Sequence, residues 1–438
     1  MFAFLPALFG RFLFCLCLFF LSPALLSANP DSQEIDRPID RGEYLTLKIA
    51  VMGPGTELYF WWGHIALVID DALTGQSRFY DWGIFSFEND HFFTNFAFGR
   101  LLYHCGVSPA GTNIYGYVST NRDVVLYTLD LSPEKREEVW RFAENNVLPE
   151  NRNYFYHHFK DNCSTRIRDI IDLAVDGQFF EKYGEAPGRF TLRQHVRRHT
   201  WFSPFADWIL NFWMGQDIDT SLTIWQEMFL PAELGNRINE FWYTDAAGTS
   251  RKLVTGDEVI NRAIARPPVL DAPRRQWPAE LAFGCAAAVL LALALFLQTK
   301  KPVLGQVVVG ICHSLLGLFF GIVGLLLFFM AVFTNHDYTF HNSNMLFVNP
   351  LLLAAVPLGI LYAKSRNEPE RVLPETLLKA LWLLSLLGLI LSMLIKLFPG
   401  FHQQNLVDQL LFLPIVLTLA LEPWGIRRIL ERVFWRWF

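Results

Sequence analysis

From Ala279 onward, long apolar stretches alternate with short charged ones, and this pattern constrains the fold more than any other feature of the sequence. Five spans, 279–298, 305–332, 346–363, 376–397 and 405–422, can each cross a hydrocarbon core of about 30 Å as a helix, with 346–363 at the short end. Lys300 and Lys301 follow the first span, Lys364, Arg366 and Arg371 the third, and Arg427, Arg428, Arg432 and Arg436 the fifth. The loops 333–345 and 398–404 carry no Lys or Arg. Positive charge marks the cytoplasmic side, so these two loops share the side of the domain that precedes the spans. Residues 1–28 read as a secretory signal or N-terminal anchor. Arg11 precedes the apolar run Phe12 to Leu21, and the small residues Ser27 and Ala28 follow, although Leu26 makes a poor cleavage site. Signal and charge bias independently put residues 29–275 outside the cytoplasm.

Composition agrees: charged residues are 18% of the chain and hydrophobic ones 52%, where a soluble domain has about 25% charged. The net charge of −5 excludes a general nucleic-acid binder. Of six cysteines, only Cys105 and Cys163 fall in the soluble part, which excludes a disulfide scaffold but leaves one bridge between them open.

In 29–275, Leu45, Leu47, Ile49 and Val51 alternate with polar or small residues as in a half-buried strand. Gly63 to Asp70 reads as a second strand, and a turn over Asp70 to Gln76 leads to a third, Arg78 to Trp82. Val124 to Leu131 is another. Ser132-Pro133-Glu134 opens a helix with Val139, Phe142, Ala143 and Val147 on its apolar face. A further helix starts near Cys163, and Trp201 to Trp213 has helical period. Proline-rich Ala265 to Pro278 joins this domain to the membrane region 279–438.

Two stretches carry chemistry. Trp62-Gly63-His64-Ile65-Ala66-Leu67-Val68 presents a histidine at the start of an apolar strand. Asp161-Asn162-Cys163-Ser164-Thr165-Arg166 presents a cysteine at the start of a helix that Asn162 can cap. Ile167, Ile170, Ile171 and Ala174 place Cys163 on the face that packs into the domain. The positive end of the helix dipole favours thiolate, a neighbouring imidazole can take the thiol proton, and unpaired N–H groups of the first turn can hold an oxyanion. Asp81 is the candidate for orienting His64, because its strand pairs with the histidine strand through the turn. Simple burial of Cys163, a Cys105–Cys163 disulfide and a structural His64 remain alternatives. His157 and His158 are adjacent and point apart. His195 and His199 have helical spacing but no acidic third ligand, so zinc is not expected and both read as basic surface positions. No phosphate loop or dinucleotide fingerprint occurs, and no cofactor or metal is expected.

At these residues the chain resembles the circularly permuted papain-like proteins, in which histidine precedes cysteine, as in NlpC/P60 cell-wall peptidases and the lecithin–retinol acyltransferase group. It resembles more closely the Lnb-type periplasmic-domain family of bacterial membrane proteins. Trp225-Gln226-Glu227-Met228-Phe229-Leu230-Pro231 and the loop from His336 to Asn349-Pro350 fit that pattern. The resemblance implies an α+β permuted papain-like domain outside the cytoplasm, followed by an all-α transmembrane bundle of five helices in a bacterial inner membrane. It also implies lipoprotein N-acylation: Cys163 takes an acyl chain from a phospholipid and passes it to the N-terminal amine of a diacylated lipoprotein. Cys163, His64 and Asp81 are the expected catalytic residues, and Asn162, Trp62, His336, Asn344 and Asn349 the candidates for substrate contact. The rings of Trp201, Phe202, Phe205, Trp208, Phe212 and Trp213 either lie on the bilayer surface or fill the core. The amine must be neutral to attack, so turnover should rise with pH. A cell-wall peptidase or amidase, a phospholipase, and a non-enzymatic membrane receptor or assembly factor are the rival readings.

Overall fold

The computed structural model describes residues 40–87 and 91–421. The signal or anchor expected over 1–28 and the arginines beyond 422 lie outside the described residues. The strands are β1 (Leu45–Met52), β2 (His64–Asp71), β3 (Gln76–Ile84), β4 (Leu102–Pro109), β5 (Val124–Leu129), β6 (Asn153–Phe155), β7 (Trp242–Thr244), β8 (Ser250–Lys252) and β9 (Val254–Asn261). Seven of them form one antiparallel sheet in the order β6-β4-β3-β2-β1-β5-β9, and β7 pairs with β8 apart from it. The predicted hairpin is present: Asp71 pairs with Gln76, and Gly75, at φ +68°, donates its N–H to the Asp71 carbonyl (2.8 Å).

Helices α1 (Phe92–Ala97) and α2 (Ala110–Ser119) bracket β4, and α3 (Pro133–Asn146) and α4 (Cys163–Ala174) follow. Then come α5 (Gln178–Tyr183), α6 (Leu192–Thr200), α7 (Pro204–Trp213), α8 (Ile224–Glu227) and α9 (Pro231–Glu240). The sheet is covered on both faces. Leu45, Leu47 and Ile49 of β1 pack with Val139 and Ala143 of α3 and Ile167, Ile170 and Ile171 of α4. Ala50 and Met52 pack on the other face with Ala110, Ile114 and Tyr117 of α2. The alternation of β1 predicted one wet face. α2, whose sequence gave no clear helix signal, covers the far half of it. Phe142, placed by spacing on the buried face of α3, stands exposed at its edge.

The start of α4 is held by one side chain. Asn162 Oδ1 accepts from the N–H of Ser164 (2.8 Å) and of Thr165 (3.0 Å), and Thr165 Oγ1 accepts from the N–H of Asn162 (2.8 Å), completing a capping box. Asn162 Nδ2 donates to the carbonyls of His158 (2.8 Å) and Phe229 (3.0 Å). Ser164 Oγ donates to the Met228 carbonyl (2.7 Å). The stretch Trp225 to Pro231 is therefore the abutment for the cysteine helix. Its Glu227 accepts from the N–H groups of Arg189 and Phe190 (both 2.7 Å) and lies 3.0 Å from His195 Nε2.

His195 and His199, expected on the surface, are buried. The proline-rich joint is strapped over α6: Arg198 donates to the Leu270 carbonyl (2.6 Å) and pairs with Glu233 (2.9 Å), and Trp201 donates to the Pro268 carbonyl (2.9 Å). Carboxylates and joint carbonyls neutralise a stretch that in sequence reads as a solvated basic face.

The helical region comprises α10 (Trp277–Lys300), α11 (Pro302–Phe333), α12 (Ala355–Lys364), α13 (Glu368–Leu394) and α14 (Leu406–Leu421). Among the described residues four segments are long and apolar enough to cross a membrane: Trp277–Lys300, Pro302–Phe333, Ser343–Lys364 and Glu368–Leu397. The fifth expected span, 405–422, forms α14 as far as Leu421, where the described residues end. The third segment is not one continuous α-helix: 3-10 turns over Ser343–Leu346 and Pro350–Ala354 precede α12. It lies close against α11. A Cβ on Gly324 would come within 2.4 Å of the Asn349 backbone, and one on Gly317 within 2.5 Å of Ala355, the close backbone approach that small residues permit in lipid.

The loops without Lys or Arg meet the sheet domain, as their charge predicted. Asn342 Nδ2 donates to the carbonyls of Phe212 (2.8 Å) and Trp213 (3.1 Å), Gln403 Nε2 to that of Met214 (3.2 Å), and the Gly215 N–H to the Tyr338 carbonyl (2.9 Å). Phe212 is buried in the core of the helical region, whereas Phe205, in the same α7, is exposed.

Asn162 is bound on four sides in a buried position, while Ser132 caps α3 through one 3.3 Å bond near the surface. Asn162→Ala should therefore destabilise the full chain by about 3 kcal/mol, against about 1 kcal/mol for Ser132→Ala. Thermal unfolding of the two purified variants compares them, and equal shifts would reject this account of the cap.

Candidate active site

His64 enters β2 from Gly63, whose φ is +82° and whose missing side chain admits the Met52 carbonyl: a Cβ there would lie 2.8 Å from that oxygen. The pairing of Met52 with His64 puts the imidazole on the α2 face. Asp81 shares that face of β3, and its Oδ1 lies 2.6 Å from His64 Nε2. The Tyr117 ring stacks on the imidazole at 6.1 Å between centroids, tilted by 24°. Burial works against a charged His64, but Asp81, Tyr117 and Cys163 outweigh it and hold the imidazolium well above its ordinary pKa. With Nε2 bound to Asp81, Nδ1 is the nitrogen left for a reacting group.

Cys163 is the first residue of α4, buried, with a free thiol. Cys105 is also free. It lies in β4 opposite Trp82, its thiol pushed up to about 12 by burial and by the charge of Asp81. The structure thus contains no Cys105–Cys163 bridge. Cys163 belongs to the core on the α4 side of the sheet, and His64 stands on the α2 side. The charge of Cys163 bears on His64, yet no hydrogen bond joins them among the described residues. Catalytic hydrogen bonds are often long without substrate. The N–H groups of Ser164 and Thr165, expected as oxyanion donors, are both taken by Asn162. The N–H of Cys163 itself is the first-turn donor with no partner among the described residues.

The segments that lead into Cys163 and His64 both contact the loop that follows α11. Ahead of Cys163, His157 Nε2 lies 2.8 Å from Asp337 Oδ1, and Lys160 pairs with Asp337 Oδ2 (2.5 Å). The rings of His157, His158 and Phe159 contact Tyr338 at 6.1, 5.6 and 5.6 Å. Ahead of His64, Trp62 packs in a cluster with Phe159, Val196 and the same Tyr338. The other candidate contact residues are placed by protein groups. His336 Nε2 donates to the Phe96 carbonyl (2.9 Å), with Tyr338 Oη on its other nitrogen (2.9 Å). Asn344 Nδ2 donates to the Phe212 carbonyl and to Asp408 (both 3.1 Å), and Asn344 Oδ1 accepts from Asn405 (2.6 Å). Asn349 caps the 3-10 turn at Pro350 through the Leu351 N–H (3.1 Å). Asn162 is occupied as described above.

Sequence reasoning did not find Tyr117, Arg122, Tyr154 or Tyr156. Burial, followed by the charge of Cys163, raises both Tyr154 and Tyr156, so they line the cysteine's surroundings. Their alternation in Asn153-Tyr154-Phe155-Tyr156 was a strand signal in plain view. Arg122 lies in Asn121-Arg122-Asp123, which reads as a solvated turn. Among the described residues no three His, Cys, Asp or Glu are grouped as metal ligands.

Residues 39–198 match the Lnb N-terminal periplasmic domain, and residues 278–422 match the Lnb transmembrane domain. No curated protein and no solved structure shows a significant match to the chain. The two matched segments leave unmatched the stretch between them, which includes α7 and the joint strapped over α6. With a sheet domain outside the cytoplasm and apolar helices behind it, the chain belongs to the Lnb-type family of membrane proteins with a periplasmic domain.

Proposed function

We propose that the protein is an inner-membrane, cysteine-dependent acyltransferase with a permuted papain-like periplasmic domain and five membrane helices. It moves a fatty acyl chain from a phospholipid through a Cys163 thioester to the N-terminal amine of a lipoprotein. The observation that carries this reading is the anchoring of both catalytic approaches on Asp337 and Tyr338, in the loop between two membrane segments. A nucleophile at the water–lipid boundary suits an ester that cannot leave the bilayer. The cell-wall peptidase alternative gives no reason for that attachment. Exposed Phe87, Phe93 and Phe96, beside the α11 contact of Phe98 with Phe329, offer apolar surface at the same boundary.

The Cys163 thiolate attacks the ester carbonyl, the Cys163 N–H faces the developing oxyanion, and His64 gives its proton to the departing lysolipid oxygen. This leaves a thioester, a lysolipid and neutral His64. A neutral amine then attacks the thioester. His64 takes the amine proton, the C–S bond breaks, and the amide leaves with the thiolate–imidazolium pair restored. Asp81 holds the imidazole and favours its charged form throughout.

Incubation of the purified protein with phospholipid should give a fatty-acyl adduct by intact mass, released by hydroxylamine and missing from Cys163→Ala. A properly folded wild type that never acquires the adduct would sink the acyltransferase reading and favour the peptidase.

The half-reactions should differ in pH dependence. Acylation needs the His64 imidazolium, so its rate holds above the ordinary histidine range and falls only as pH passes the raised pKa. Deacylation needs neutral amine and rises with pH. Asp81→Asn removes the attraction that raises His64, so the alkaline limb of acylation should move to lower pH and the rate drop by about 10²-fold. Single-turnover acylation of both proteins from pH 5 to 9 measures this. An unmoved limb would remove Asp81 from its role.

A further inference from the structure

Arg122 is 1% exposed, and its two terminal nitrogens are buried without a hydrogen-bond partner. Its Nε donates to the Gly53 carbonyl (2.8 Å). Its guanidinium lies 4.7 Å from the centroid of the Phe60 ring and 4.8 Å from that of Tyr117. The plane is thus fixed while the fork has nothing to hold. Buried Arg193 is the contrast: it binds both oxygens of Asp219 (2.7 and 3.0 Å) and the carbonyls of Asn211, Met214 and Gly215. Native proteins rarely leave buried donors of a cation empty, and an oriented, unfilled guanidinium fork matches the paired oxygens of a phosphate or carboxylate.

Its position gives the anion a purpose. Val124 and His64 both pair with Met52, so Arg122, two residues before Val124, stands at the end of the sheet that carries His64. Tyr117 touches both side chains. The charge of Cys163 bears on Arg122, and no hydrogen bond joins Sγ to its terminal nitrogens.

We infer that Arg122 holds the phosphodiester of the acyl donor, its terminal nitrogens taking the phosphate oxygens while the ester carbonyl stands at Cys163. This rests on the acyl-transfer reading above. In a glycerophospholipid, phosphate and ester carbonyl are a few bonds apart, and both lie at the boundary where the protein's membrane loop holds the site. Arg122 is then the residue that selects a phospholipid over a neutral glyceride.

The test uses the full chain in detergent with two donors of identical acyl chains, phosphatidylglycerol and diacylglycerol, and reads acylation of Cys163 by intact mass. Arg122→Gln should lower the phosphatidylglycerol rate at least about tenfold more than the diacylglycerol rate. Arg122→Lys, which keeps the charge and loses the fork, should fall between. Equal losses on both donors, or no loss, would overturn the assignment. Thermal unfolding identifies a variant that fails to fold, in which case Arg122→Lys decides.

A second arm stands apart from acyl transfer. Glycerophosphoglycerol should protect Cys163 of the wild type from iodoacetamide and leave Arg122→Lys less protected. Equal protection by inorganic phosphate would make free phosphate the ligand and overturn the headgroup assignment. Protection by a peptide carboxylate alone, or by none of these probes, would overturn the phosphate site. Protection by glycerophosphoglycerol in a protein that no lipid acylates would keep the phosphate site and reject the acyltransferase.

Discussion

Asn162 uses every hydrogen bond its side chain can make, and the position of Cys163 depends on that. Its oxygen closes the first turn of α4 and its nitrogen ties that turn to two carbonyls, one in the lead-in to the helix and one in the Trp225 to Pro231 stretch. The cysteine that follows therefore cannot shift along or around the helix axis without breaking a buried bond. A nucleophile must be placed to within a fraction of an ångström to profit from proximity. Here the placement comes from a neutral amide rather than a charge, so it leaves the electrostatics of the thiol to His64, Tyr117 and Arg122.

The histidine side is built differently. Gly63 lets the chain pass close over the Met52 carbonyl, and Asp81 reaches His64 because both stand on one face of neighbouring strands. Strand pairing alone sets this relation, which is why it was legible in the sequence: the hairpin turn fixed the register, and side-chain alternation fixed the face. The cysteine helix was legible for the same kind of reason, since capping residue and apolar period are both local signals.

What could not be read arose from contacts distant in sequence. Arg122 looks like a turn residue until Phe60 and Tyr117 close on it. His195 and His199 look solvated until the joint folds back over α6. Two first-turn N–H groups looked available until Asn162 claimed them. The third apolar stretch differs in another way: 3-10 turns over Ser343–Leu346 and Pro350–Ala354 precede its α-helix, and hydropathy reports composition rather than where a helix begins.

The layer formed by α6 and α7 lies between two folding problems. The carbonyls of Phe212 and Trp213 accept from Asn342 and, for Phe212, Asn344, residues more than a hundred positions later in the chain. Synthesis runs from the N-terminus, so the sheet domain emerges long before those loops exist. Until those loops are in place, α7 leaves Phe212 and two carbonyls without these partners. The C-terminal end of α7 therefore completes its hydrogen bonds only after the later part of the chain has been made, which ties this layer to the membrane segments.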